Sequence, residues 1–425
     1  MEYKLGKVSK FYDSLHKTPK DYNIYGYPMV RVKDISTGFL DLSSCFNVSE
    51  DDYLEFSKKY KPQSGDIIIT RVGTYGNIAL VTDDTKFCLG QNTVILNVDQ
   101  KMIDNKYLFY YLTSPKGQQQ IESRVTGSTQ KTISLKSLKE INIIRHDYYK
   151  EKQIGNLLYK IDNKIASNRH IIANLEELSK TLFKRWFVDF EFPDENGNPY
   201  KSSGGEMIDS ELGEIPERWS LGNFENLGKI VSGGTPSKKV SEYYTKQKEI
   251  PWITPKDLSK NKNTYIYHGE QDITELGLNK SSAKLINKDS VLFSSRAPIG
   301  YIAIAGQEVT TNQGFKSIEV DKNINPYYVF FLLKYKLPII EQTASGSTFK
   351  EISGKGMKSI PIILPIIETI NKYGNIVESY FEKIKVLEKE NQKLIQLRNT
   401  LLPKLMSGEL EIPDDIEVNE DELSI

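Results

Sequence analysis

The sequence predicts an α+β fold: two strand-rich domains held apart by a long antiparallel two-helix coiled coil, with an internal pseudo-twofold repeat relating the halves. Three observations predict it. A segment recurs at constant offset, each copy opens with short apolar runs, and each copy closes with a long heptad seam. Gly127–Ile144 (GSTQKTISLKSLKEINII) and Gly346–Ile363 (GSTFKEISGKGMKSIPII) are identical at 11 of 18 positions, 219 residues apart; unrelated segments would share about one. Looser matches run ahead of them. PMVRVKDI (28–35) parallels PWITPKDL (251–258), DIIITRVGTYGNIA (66–79) parallels DSVLFSSRAPIGYIA (289–303), and Tyr107–Leu112 parallels Tyr327–Leu332.

Within each copy the first part is broken by Gly, Pro, Asn and Asp, and Ile67–Thr70, Val94–Val98, Val291–Ser294 and Lys316–Val320 read as strands. The second part changes period. Ile154, Leu158, Ile161, Ile165, Asn168, Ile172, Leu175, Leu178 and Leu182 recur at spacings of 4 and 3. Tyr373, Val377, Tyr380, Ile384, Leu387, Asn391, Leu394, Leu397, Leu401 and Leu405 follow the same rule. A single amphipathic helix on a globular core has this pattern too, but two copies in one chain point to mutual pairing. Helices of about 34 residues are roughly 50 Å long and act as a ruler. If they run antiparallel, facing residue numbers have a constant sum. A sum of 559 pairs Ile154 with Leu405, Ile165 with Leu394 and Leu175 with Ile384, and sets Asn168 opposite Asn391. A buried Asn pair of this kind fixes register at some cost in stability. Between the halves, Glu191–Trp219 is rich in Gly, Pro, Asn and Ser and reads as a linker or extended connector. The resulting division is 1–147, first domain; 148–190, first helix; 191–218, connector; 219–365, second domain; 366–408, second helix; and 409–425, acidic tail.

Composition narrows the function. The chain has 425 residues and zero formal net charge, yet the charge is segregated. Residues 409–425 carry eight acids and no base, and residues 194–215 carry six acids against Lys201. Without these segments the remainder has a net charge of +13. A basic body with acidic punctuation suits a DNA binder, although acidic tails also serve solubility. No apolar stretch reaches 18 residues, so no membrane span is expected, and the polar start is not a signal peptide. Cys45 and Cys88 read as a reduced cytosolic pair.

No catalytic constellation emerges. Asn198–Pro199–Tyr200 lacks the second Pro of an adenine-methyltransferase loop and lies in the connector. The string Ser232–Thr235 (SGGT) has no nucleotide-binding context and reads as a loop, and His16, His146, His170 and His268 are scattered. No Walker A, GxSxG or HExxH string occurs. No catalytic residue, bound metal or cofactor of the chain's own is expected.

The connector FPDENGNPYKSSGGEMIDSELGEIPERW, the runs IPWITPKDL and SRAPIGYIAI, and the terminus LRNTLLPKLMSGEL resemble type I restriction–modification specificity subunits. The resemblance spans nearly the whole chain and is weakest over residues 1–60, where Tyr3 stands in place of Trp219. It implies two target-recognition domains, each followed by a conserved helix. Each domain would read one half of a bipartite, asymmetric double-stranded DNA site. Two modification (methyltransferase) subunits and further restriction (motor and nuclease) subunits would be partners. S-adenosylmethionine, ATP and Mg would be bound by those partners, in the cytoplasm. A coiled-coil scaffold with two β-rich protein-binding domains is the alternative reading, and a restriction enzyme fragment with hidden chemistry is a third.

Phosphate contacts draw on Lys, Arg, hydroxyls and backbone amides, and base reading on Arg, Lys, Asn and Gln. The repeated Gly-Ser-Thr loop with its following Lys gives Ser128, Thr129, Lys131, Ser347, Thr348 and Lys350 as candidates; a helix N-cap is the competing role of the hydroxyls. Arg71 and Arg296 occupy equivalent loops after strands, near Tyr75 and Tyr301, and are DNA-contact or turn-stabilising cations. Gln91 and Gln313 are adenine readers or loop-satisfying amides. Base readers should differ between the halves, so repeated residues favour phosphate or fold roles. Ile165, Asn168, Leu175, Trp186, Leu387, Asn391, Leu394 and Leu405 are the expected helix or partner interface. Phe183, Trp186, Phe187 and Phe190, with Leu402, Leu405 and Met406, either dock a partner or pack on a recognition domain.

Overall fold

A computed structural model describes residues 2–261, 263–346 and 350–413. The chain forms two compact units. The first comprises Met1–Ser167 and Asn391–Ile425, and the second comprises Asn168–Glu390.

The first unit is built on a five-stranded sheet of β1 (Ser9–Asp13), β2 (Gly38–Phe39), β3 (Ile67–Thr70), β4 (Ile78–Leu80) and β5 (Thr93–Val98), ordered β1-β5-β3-β4-β2. All neighbours are antiparallel except β4 and β2, which are parallel. The second unit has β6 (Gly228–Ser232), β7 (Tyr265–Ile266), β8 (Val291–Ser295), β9 (Ile299–Ala305) and β10 (Lys316–Val320), ordered β6-β10-β8-β9-β7. The permutation is the same, again with one parallel pair, β7 with β9. The strand-rich duplication expected from the repeat is therefore a duplication of topology. The four expected strands are present. β3 is apolar at both faces, with Ile67, Ile68 and Ile69 fully buried, because it lies centrally between packed layers. The runs around Tyr107–Leu112 and Tyr327–Leu332 lie in helices Asn105–Thr113 and Pro326–Thr343, N-capped by Asp104 and Asn325.

Two long helices dominate: α1 (Tyr148–Phe187), 40 residues, and α2 (Ile367–Ser407), 41 residues. Each is longer than the seam alone requires, about 60 Å at 1.5 Å per residue. Gly408 ends α2 in a left-handed conformation (φ 76°), and Leu410 N donates to Lys404 O at 3.2 Å, a return that closes the last turn. Antiparallel pairing holds inside each unit. In the first, Arg398 Nη1 donates to Asp162 Oδ1 at 2.6 Å. In the second, Asn168 Nδ2 donates to Glu390 Oε2 at 2.8 Å, and the Trp186 and Tyr373 rings are 6.2 Å apart. Each pair totals within one of the expected 559. Asn168 and Asn391 are both buried, at 0% and 6% exposure, and fall on either side of the boundary between the units.

The seam departs from strict heptads. Leu178 and Leu397 are exposed, at 57% and 47%. The inward positions are instead Ile172, Leu175, Ser179, Phe183 and Trp186 on α1, and Asn391, Leu394, Arg398, Leu402 and Leu405 on α2, each displaced from its counterpart by the same 219 residues. Likewise Phe381 is buried, whereas Tyr380 is only partly so. A straight helix drifts about 20° per heptad, and an 11-residue spacing resets the facing stripe.

The connector is not an extended linker. Phe190, Phe192 and Ile215 are buried in the second unit's core. Phe192 stacks between Tyr200 (4.6 Å) and Trp219 (5.0 Å), and Met207–Ile208 pairs antiparallel with Ile215–Pro216. Spaced aromatics supply enough burial to order a stretch that is otherwise turn-rich.

Behind the second sheet, the buried Glu388 carboxylate accepts from the backbone N of Thr264 and, at 3.2 Å, of Tyr265. Burial pushes its carboxyl up to about 7, against the pull of those two amides. The folded chain thus holds this proton more tightly than the unfolded chain. Stability from this group is fully present below the usual Glu range, about 4.3, and is lost as pH rises through about 7. The melting midpoint of the second unit is expected to fall across that window, and Glu388→Gln to flatten the fall. An unchanged pH slope in the variant would refute the assignment.

Candidate nucleic-acid interface

In the first unit the backbone brings three predicted loops together. Arg71, directly after β3, receives Ile133 N on its carbonyl (3.0 Å) and donates its own N to Asn92 O (2.9 Å), while Gly73 N donates to Lys131 O (3.2 Å). Arg71, Tyr75, Gln91, Ser128, Thr129 and Lys131 therefore belong to one surface. Their side chains play different parts. The Arg71 guanidinium is half-buried, donating to Asp13 Oδ1 at 2.6 Å and to Ile133 O at 3.3 Å, so it ties loops to the sheet edge. Lys131 Nζ reaches Tyr75 Oη (3.3 Å) and Glu122 Oε1 (3.4 Å), and these contacts raise its pKa. Ser128 and Thr129 stand exposed at the loop tip. Gly127, at φ 97°, makes that tip; a Cβ there would lie 2.4 Å from Gln130 O. The N-cap of the following helix is Ser134, whose hydroxyl accepts from Ser137 N at 3.0 Å. Ser128 and Thr129 thus do not cap that helix.

The second unit repeats the scaffold and changes the partners. Arg296 follows β8 and donates to Glu351 Oε2 at 3.2 Å. Glu351 also faces Lys316 Nζ at 3.8 Å, and burial lowers the pKa of that lysine. Ser345 and Glu351 close the loop as Thr126 and Thr132 do in the first unit. Ser347 and Thr348 lie outside the described residues, and Lys350 is exposed. Gln313 accepts a hydrogen bond from the Thr235 hydroxyl. The Ser232–Thr235 string is a loop packed by its glycines: a Cβ on Gly233 or Gly234 would meet backbone at 2.1 and 2.4 Å.

The remaining candidate residues lie on the helices. Ile165, Trp186, Leu387 and Leu405 are buried seam residues, and Leu175 and Leu394 are partly buried. Of the two roles considered for Phe183, Trp186, Phe187 and Phe190, the structure shows packing on a recognition domain. All four are at most 7% exposed within the second unit's own core, and Leu402, Leu405 and Met406 are buried within the first. These aromatics anchor helix to domain.

Composition-based reading missed a basic and aromatic cleft in the first unit. Arg31 is held by Asp34, its Nε 2.7 Å from Oδ2 and its Nη2 2.9 Å from Oδ1. Its guanidinium lies 3.9 Å from the centre of the Phe46 ring and 5.4 Å from that of Tyr22. Lys17, Lys33, Gly73 and Gln91 line the same cleft. The signal was available in the repeat: PMVRVKDI and PWITPKDL place Arg31 opposite Thr254.

The sequence profile of the type I restriction modification DNA specificity domain matches twice, over residues 1–177 and 216–396. The chain belongs to this family. A specificity subunit of the type I restriction enzyme MjaIX of Methanocaldococcus jannaschii is 36% identical over 191 residues, 44% of each chain; the match spans less than half of that relative. The putative MjaX specificity subunit from the same organism is 28% identical over 398 residues, covering 91% of this chain and 88% of the relative. The Haemophilus influenzae HindI specificity subunit is 24% identical, covering 96% and 99%. The crystal structure of the type I restriction-modification S subunit from M. genitalium shares the fold, with a TM-score of 0.62 at 19% identity over 95% of both chains. This chain is accordingly a DNA specificity subunit of a type I restriction–modification system. It recognises DNA without catalysing a reaction, and its partners are DNA and the other subunits of such a complex. Membership removes the scaffold and hidden-enzyme alternatives. Among the described residues, no helix is long and apolar enough to cross a membrane.

Proposed function

We propose that each unit reads one half of a bipartite, asymmetric double-stranded DNA site. On this reading the subunit positions two adenine-N6 modification subunits, to which restriction subunits add, in the cytoplasm. S-adenosylmethionine, ATP and Mg are bound by those partners and none by this chain. One observation carries the reading: duplicated topology with diverged cleft residues. The two sheets share one strand permutation, while the cleft residue Arg31 is replaced by Thr254. One scaffold carrying two different surfaces suits two unlike half-sites. The exposed Ser128–Thr129–Lys131 tip suits phosphate contact, because it offers hydroxyls, amides and a cation without base specificity.

The test is a methylome. The chain is expressed with and without its cognate modification subunit in a methylation-free host, and N6-methyladenine is mapped by single-molecule sequencing. The expected result is a bipartite, asymmetric motif that requires both proteins. A soluble complex that yields no motif, or a palindromic one, would overturn the reading.

A further inference from the structure

We propose that Arg31 is a base-reading residue of the first unit, taking a guanine through its major-groove edge. The proposal rests on the half-site reading above. Its first support is the geometry of the fork. Asp34 occupies Nε and one hydrogen of Nη2, and the same carboxylate accepts from Arg31 N at 3.0 Å. The end of the guanidinium, Nη1 and the outer hydrogen of Nη2, points away from Asp34 as a parallel pair of donors, with the Tyr22 hydroxyl near enough to interact with it. Such a pair matches O6 and N7 of guanine, and no other base edge offers two adjacent acceptors in the major groove.

Pre-organisation is the second support. The Phe46 ring lies against the guanidinium and Tyr22 lies beside it. An Arg side chain ordinarily loses much rotamer freedom on binding; here that freedom is already lost. Phe46 and Tyr22 remain exposed, at 47% and 43%, so the cluster is open to a ligand rather than sealed as core. Around it stand Lys17 and Lys33, suited to phosphates flanking the base.

The third support is the comparison of the two units. Asp34 and Asp257 perform the same task, each accepting from the backbone N three residues earlier, at 3.0 and 2.8 Å. Lys33 and Lys256 also correspond. In the second unit Thr254 takes the place of Arg31 and donates its hydroxyl to Asp257 at 2.5 Å. The turn is kept while the side chain that reaches beyond it changes. The folding part of the turn, the Asp34 and Asp257 cap, is kept in both copies, and divergence is confined to the side chain facing the cleft, as two unlike half-sites require.

The experiment uses the full chain in complex with its modification subunit and compares methylomes for wild type, Arg31→Thr and Arg31→Lys. Wild type must yield a bipartite motif; if it does not, the half-site reading itself fails. Given that motif, one half is expected to contain a guanine that Arg31→Thr relaxes, with discrimination at that position reduced about 10- to 100-fold and the other half unchanged. Arg31→Lys, which keeps the charge and the Asp34 contact without the fork, is expected to relax the same position, and it carries the test if Arg31→Thr does not fold. An unchanged motif in the folded variants, or methylation lowered equally at every position, would overturn the proposal.

Discussion

Arg145→Ala is expected to destabilise the first unit by about 3–5 kcal/mol, the cost of leaving a buried charge without its partner. Glu151 is completely buried. Arg145 grips it with two bonds, Nε to Oε1 at 2.5 Å and Nη2 to Oε2 at 2.9 Å, and Nη2 also donates to Met102 O. His146 N adds a third donor at 3.2 Å. Glu151 sits in the first turn of α1, where the helix dipole favours an anion. Even so, burial raises its pKa against the pull of Arg145. The ion pair is thus costly to half-remove rather than strongly stabilising in itself. The duplication supplies the control. At the same offset of 219 residues the second copy carries Leu364 and Ile370, an apolar pair. Arg145→Leu/Glu151→Ile is therefore expected to recover most of the loss of the single variant. Urea denaturation of the three proteins checks this. A double variant no more stable than Arg145→Ala would show that the pair is not interchangeable with the apolar solution.

The second large effect is expected at Phe187→Ala, again about 3–5 kcal/mol, but in the second unit. The Phe187 ring meets Tyr328 at 4.7 Å, Phe183 at 5.2 Å, Tyr373 at 5.3 Å and Trp219 at 6.0 Å. It therefore joins α1, α2, the helix Pro326–Thr343 and the end of the connector around one ring. Truncation removes the buried area and leaves a cavity that four large neighbours cannot all close. Phe187→Leu should cost less, since it keeps most of the volume. Loss of near-ultraviolet ellipticity together with the shift in unfolding midpoint reads the cluster directly. A change below about 1 kcal/mol would mean that the ring is not part of the core.

Both variants probe features that differ in how far the amino-acid pattern disclosed them. The heptad rows were plain as far as Leu175, because repetition at 3 and 4 needs only apolar residues. Beyond it, Leu178 and Leu397 satisfied the period yet face solvent, while Ser179 and Arg398 face inward. An apolar count cannot register a stripe that continues through a hydroxyl and a guanidinium. The connector misled in the opposite way. Its Gly, Pro, Asn and Ser content reads as a linker, and the four rings of Phe190, Phe192, Tyr200 and Trp219 that order it are separated by turns and meet only in three dimensions. At the candidate DNA-facing surface, similarity between the copies led to Arg71 and Arg296. These are tied down by Asp13 and Glu351, because what survives in both copies is mostly what both must do to fold. Arg31 became visible through difference at a shared position, and only the cleft gave that difference a meaning.

The division of the chain into a continuous unit and a discontinuous one has a consequence for synthesis. The second unit is complete once residue 390 has been made. The first begins earlier but lacks Leu402, Leu405 and Met406 of its core until those residues follow. The N-terminal domain must wait with Ile154 and Leu158 uncovered while the later-encoded domain closes. A chain truncated after residue 390 should resist protease over its central portion and be cut readily near its start. Order of emergence and order of completion are reversed, so the first unit depends on the closing turns of α2 for its shelter.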